Sequence, residues 1–146
     1  MLTSSARSSS AARPTCSVPY SWVDHTAELE LHVEATSPEL VLQEALTALA
    51  ELLGEASGPL VTHELALEAR DHASLLALWL EELVYLADTQ GFIPEQAQVL
   101  LRDTTLQATV RGQTGEPRPL VKAVTYHGLE FAPKDGGWRA KVVLDV

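Results

Sequence analysis

The chain lacks most of what builds dedicated chemistry. One cysteine, Cys16, stands in 146 residues, which excludes an internal disulfide and a cysteine-based metal cage and fits a reducing compartment. Basic residues are scarce: ten Lys and Arg face twenty Asp and Glu, for a formal charge of −10. Phosphate-backbone binding draws on clustered Lys and Arg, so the composition argues against a general nucleic-acid binder. Aromatic residues make up 5%, too few for a platform that stacks single-stranded bases. No apolar run approaches the roughly 18 residues needed to cross a bilayer. The GxGxxG and GxxxxGKS/T phosphate loops, the GxSxG elbow, HExxH and CxxC are all missing. Asn is absent and Ile occurs once, at Ile93; with Lys also scarce, this is coding bias rather than a thermophile's composition.

What remains is a globular composition, 46% hydrophobic and 21% charged, in one domain's length. Residues 1–18 are Ser- and Ala-rich and poor in large apolar side chains, so they read as a disordered extension. Their composition also resembles an organellar transit peptide. Residues 19–146 read as a single domain. AELELHVEA at 27–35 alternates apolar and acidic residues, the pattern of a half-buried strand. Ser37, Pro38 and Glu39 then open a helix that runs to Leu53 and stops at Gly54. A second strand spans about 62–69. A second helix follows from His72 to about Ala87, with Leu75, Leu76, Trp79, Leu83 and Leu86 inward and Gly91 closing it.

The last third is β throughout: a hairpin at 99–102 and 106–110, a long strand at 120–131, a turn at 134–137 and a final strand at 138–145. The spacing therefore predicts an α+β fold, an about six-stranded mixed or antiparallel sheet with two helices packed on one face.

Three polar clusters interrupt these apolar elements. In WVDHTAE at 22–28, Asp24 and His25 precede a strand, and read locally they form a turn. In VKAVTYHGLEF at 121–131, period two puts Lys122, Val124 and Tyr126 on one face and His127 on the other. The bland reading there is an edge strand guarded by its lysine. The third cluster is VVLDV at 142–146, an apolar strand running to the last residue, which suggests a terminus held in the sheet. Asp145, the Val146 carboxylate and Asp24 would then offer oxygens suited to a hard divalent cation. Neighbouring termini and scattered surface acids would give the same sequence pattern.

Together these segments resemble the archease family. Its DHTAD-type opening matches DHTAE at 24–28. The helix ending in a DTEG-type turn matches LALWLEELVYLADTQG at 76–91, VKAVTYH stands unchanged at 121–127, and the chain ends in WRAKVVLDV. The resemblance covers about residues 20–146, with four motifs in family order. It implies a small α+β protein without turnover of its own, an accessory factor of the GTP-dependent RtcB-type RNA ligase that joins tRNA exons. Such a factor promotes guanylylation and multiple turnover of the ligase.

The resemblance also implies a divalent-metal site (Ca²⁺, or Mg²⁺/Mn²⁺) on Asp24, Asp145 and the Val146 carboxylate, and ligase activation through Lys122 with Asp24 and Asp145. GTP and Mn²⁺ would act at the ligase, RNA would be met only through it, no membrane is involved, and the protein would be cytoplasmic. His25, Glu28 and His127 are expected to orient the ligands or to pack. Two positions depart from the family pattern. Glu28 replaces Asp and is one methylene longer, and Gln90 removes the acid of the turn. Two other classes compete with this reading. One is a metal-dependent hydrolase with Asp24 and Asp145 as ligands and His25 or His127 as base. The other is a chaperone-like binding module, which would need a broad exposed apolar patch.

Overall fold

The computed structural model describes residues 19–25 and 28–146, with 23–25 as backbone only. The expected disordered extension, 1–18, and the positions 26 and 27 lie outside the described residues. Among those described, the order is β1 (Tyr20–His25), β2 (Glu28–Ala35), α1 (Pro38–Leu53), β3 (Leu60–Glu68), α2 (His72–Gln90), β4 (Phe92–Arg102), β5 (Thr105–Thr114), β6 (Ala123–Lys134) and β7 (Gly137–Asp145).

Every strand pair is antiparallel, and the strands form two sheets, β1-β2-β7-β6 and β3-β5-β4. The α+β class read from the sequence holds. Its about six strands are in fact seven, divided between two sheets. The added strand is β1: Asp24 and His25, read locally as a turn, continue a ladder from Tyr20 that pairs residue by residue with β2.

The helices begin and end where local chemistry puts them. Ser37 is extended and its hydroxyl accepts the Leu40 amide at 3.2 Å, with Pro38 in the first turn. Asp71 does the same for α2, accepting the Ser74 amide at 2.7 Å. Gly91, at φ 66°, closes α2 in the left-handed conformation. The helix runs to Gln90, three residues beyond the sequence estimate. At 134–137, Asp135 and Gly136 both have positive φ, 51° and 81°, which matches the twist of the β6–β7 hairpin.

The helices do not share one face of one sheet. α1 packs chiefly on β4 and also on β2, while α2 packs chiefly on β6 and also touches β3, β4 and β5. Their sequences require this. Leu75, Leu76, Ala77, Trp79 and Leu80 of α2 are all buried, as are Val41, Leu42, Ala45, Leu46, Ala48 and Leu49 of α1. Apolar surface that wraps so much of a helix must be covered from more than one side. No polar or charged residue is fully buried among the described residues. The largest buried side chain is Trp79, whose indole N–H donates to the Leu42 carbonyl across the helix pair at 2.9 Å.

Gly112 marks the tightest approach of two strands among the described residues. A Cβ there would lie 2.2 Å from the Ile93 carbonyl oxygen. The β4 register shifts at this point, between Pro94 and Gln96, so the bulge and the glycine belong together.

Two outcomes follow. Trp79→Ala lowers stability by about 3–5 kcal/mol, read as a lower urea midpoint at unchanged m. Asp71→Ala lowers the Tm at neutral pH, and the gap to wild type closes in acid. The Ser74 amide holds the Asp71 carboxyl below its usual 3.8, so the cap's contribution is complete above that value. It is lost as the pH falls through the lower folded-state value. Thermal melts from pH 7 to pH 2 check this.

Candidate functional site

The four-stranded sheet brings together most of the residues singled out in the sequence. β7 lies between β2 and β6, so its last residues are paired on both sides. Asp145 stands opposite Glu28 on β2 and opposite Ala123 on β6. Glu28 stands in turn opposite His25 on β1. One row across the sheet therefore reads His25, Glu28, Asp145, Ala123. Asp24 occupies the adjacent row, with Leu29, Leu144 and Val124.

Lys122 sits immediately before β6. Its backbone N–H donates to the Asp145 carbonyl at 2.7 Å, which extends the β6–β7 ladder by one bond and brings the lysine beside the end of β7. Its side chain is exposed and makes no ion pair within 4.0 Å among the described residues. Val146 is half-buried and packs against the core. The end of β7 is thus held by pairing on two sides and by packing.

His127 is not brought to this row. Between Thr125 and Glu130 the β6–β7 register shifts, and four residues, 126–129, stand opposite Val142 alone. Gly128 takes a left-handed φ of 67° inside this bulge. The bulge ends strict alternation, so period two does not assign Tyr126 and His127 to opposite faces, and both are exposed. β6 is an edge strand, as the lysine suggested.

Glu28 and Asp145 form a directly opposed pair of like charges. Such a pair destabilises a sheet by up to about 1 kcal/mol unless something positive lies between or beside it. A hard divalent cation takes carboxylate and carbonyl oxygens; Glu28 and Asp145 share one row, while Asp24 stands in the adjacent row, whose partners Leu144 and Val124 are buried. Among the described residues, no group of three or more His, Cys, Asp or Glu side chains is placed to hold a metal ion. That description does not extend to the side chains of Asp24 and His25.

β1 carries Asp24, and one bond ties its far end to the helices: the Tyr20 hydroxyl donates to the Glu51 carboxylate of α1. Burial, and then the Glu51 carboxylate, push the Tyr20 phenol far above its usual range. Sequence reasoning missed this tether, because Tyr20 and Glu51 lie 31 residues apart. It also missed an orphan on the site's own face. The Thr125 hydroxyl, two rows from Asp145, is buried without a hydrogen-bond partner among the described residues.

A small α+β domain with a lysine and an acid pair at one sheet end defines the class, and comparison gives the family. The archease protein family model matches residues 20–146. Protein archease of Methanopyrus kandleri is 31% identical over 140 residues, covering 88% of this chain and 100% of its own. Protein archease of Methanosarcina barkeri is 30% identical, covering 87% and 95%. The solution structure of Methanobacterium thermoautotrophicum protein 1598 superposes with a TM-score of 0.66 at 28% identity, over 88% of this chain and 99% of that one. The crystal structure of a Thermotoga maritima protein described as an archease, possible chaperone, shares the fold with a TM-score of 0.63 at 23% identity. The chain belongs to the archease family.

Glu28→Gln is expected to raise stability by about 0.5 kcal/mol in EDTA by removing the opposed charge. Urea melts of the two proteins at low ionic strength measure it, and equal midpoints would show that the opposed charges do not cost stability.

Proposed function

We propose that this protein is an accessory factor of a GTP-dependent RtcB-type RNA ligase, promoting guanylylation and repeated turnover while catalysing nothing itself. Family membership supports this reading. The observation that carries it for this chain is the Lys122–Asp145 backbone bond: a free cationic side chain is fixed next to the acidic end of β7, where Glu28 stands opposite. The charge of −10 suits approach to a basic ligase surface and speeds encounter. A cytoplasmic setting fits this role, and no helix among the described residues is long and apolar enough to cross a membrane.

The same rows would hold a divalent cation through Asp24, Asp145 and the Val146 carboxylate, with Glu28 adjacent. Bound there, a cation would offset the acids' charge and supply Lewis acidity toward phosphate or carboxylate oxygens. The chain's own residues do the rest. β2 and β6 hold Asp145 in register, Tyr20 ties β1 to α1, and Lys122 presents an ammonium that pairs with a nucleotide phosphate or a ligase carboxylate.

RNA joining with ligase limiting, under GTP and Mn²⁺, tests the proposal. Wild type is expected to carry the ligase past one product per enzyme. Asp24→Asn, Asp145→Asn and Lys122→Ala, each folded by circular dichroism, are expected to lower turnover at least tenfold. In thermal melts, Ca²⁺ or Mn²⁺ raises the Tm of wild type but not of the aspartate variants. Full turnover with both aspartate variants would overturn the reading. Protection of unrelated unfolding proteins, undiminished in those variants, would favour the chaperone-like reading instead.

A further inference from the structure

Beside the site row, the outer surface of α2 and the first residues of β6 enclose an open groove of about 280 Å³, lined by Glu81, Val84, Tyr85, Asp88, Lys122, Ala123 and Val124. The floor is apolar, formed by half-buried Val84 and buried Val124, while Tyr85 stands 58% exposed on the rim. Tyr126, 52% exposed, stands in the bulge two residues beyond the groove's lining. It lies near enough to α2 that burial, and then the Glu81 carboxylate, raise its phenol above the usual range.

Tyr85 is thus displayed at the groove, with exposed Tyr126 on the bulge next to it. Neither Glu81 nor Asp88 has an ion-pair partner within 4.0 Å among the described residues. Lys122 lines the same groove but does not close on either acid, and the acids outnumber it.

We infer that this groove docks an arginine-bearing segment of a protein partner. A guanidinium is planar: it stacks on an exposed tyrosine ring and bonds a carboxylate through two parallel N–H donors, both of which the groove offers. An ammonium does neither as well. Exposed tyrosines over an apolar floor are typical of the anchoring centre of a protein interface. A phosphate seated between Glu81 and Asp88 is repelled by both, whereas a guanidinium is drawn to them.

The inference rests on the activator reading where the partner is taken to be the ligase, and the groove adjoins the lysine assigned to activation. Docking and activation then divide between residues: Tyr85, Glu81, Asp88 and Tyr126 hold the partner, and the row at Asp145 acts on it.

Two measurements test it. The ¹⁵N-labelled full chain is titrated with a short arginine-rich peptide and with its lysine counterpart. Amide shifts are expected to concentrate at 81–88 and 122–126, to be larger with arginine, and to vanish in the Glu81→Gln/Asp88→Asn double variant. Shifts spread evenly over the acidic surface, or equal for both peptides, overturn the groove.

In RNA joining, Tyr85→Ala/Tyr126→Ala, with an unchanged Tm, is expected to raise the concentration giving half-maximal ligase activation about tenfold or more. Its turnover at saturation is retained. An unchanged concentration overturns the groove while leaving the activator reading intact. If wild type does not activate the ligase, the activator reading falls, and the peptide titration still decides the groove.

Discussion

The fold turns on the burial of Trp79 between two helices. Its indole fills the seam and its N–H donates to the Leu42 carbonyl, so the largest side chain in the core also bonds one helix to the other. A buried indole needs an acceptor, and the Leu42 carbonyl supplies it from within the core. The consequence is a helix pair that is apolar on several sides and must be enclosed. One sheet cannot do that. α1 takes β4 as its main cover and α2 takes β6, and the seven strands divide between two sheets to supply them. The absence of fully buried polar residues among those described follows from the same arrangement. With apolar surface on several sides of the helices, ionisable groups are pushed to the sheet ends and to the helices' outer faces, where Glu81 and Asp88 of α2 stand.

The candidate site inherits its rigidity from that core. Leu144 and Val142 of β7 are buried beneath the helices, and both neighbouring strands pair with β7 along its length. Asp145 is the first residue of this strand to reach the surface at that end. It emerges from a fixed base rather than from a loop, which is how a scaffold holds a small set of polar groups at constant spacing. Glu28 meets it because β2 is paired in register from Ala35 back to Glu28. The like-charge contact is therefore imposed by the hydrophobic pairing of the whole strand, since a one-residue slip would turn Leu31 and Val33 out of the core.

Local chemistry was legible in the sequence and long-range register was not. Ser37, Gly54 and Gly91 mark helix ends through hydrogen bonds and φ angles that depend only on near neighbours, and the turn at Asp135 and Gly136 is of the same kind. β1 was hidden because WVDHTAE carries no alternation and its pairing is with a single neighbour at a sheet edge. The first half of β4 was hidden by Pro94, which cannot donate to a ladder and which the structure accommodates at a bulge facing Gly112. Alternation revealed which side of each strand is apolar but not which sheet it joins, so two sheets read as one. For the site, the resemblance supplied Asp24, Lys122 and Asp145. The row in which Glu28 and His25 align with Asp145 depends on pairings between distant segments, and no local signal carries them.

The opening residues of β6 connect the two features on this side of the molecule. Ala123 is the register partner of Asp145 and Val124 that of Leu144, yet both also line the groove against α2. The strand is an edge, unpaired on its far side, and the four-residue bulge interrupts its ladder after Thr125. Between that bulge and the Lys122–Asp145 bond, only a short stretch of β6 is fixed to β7. A segment seated against Val84 and Tyr85 would press on this stretch directly. Ala123 stands in the Asp145 row and Val124 in the row beside it, so the groove and the row are built on the same residues of β6. The two features share a strand, and the shared residues are consecutive.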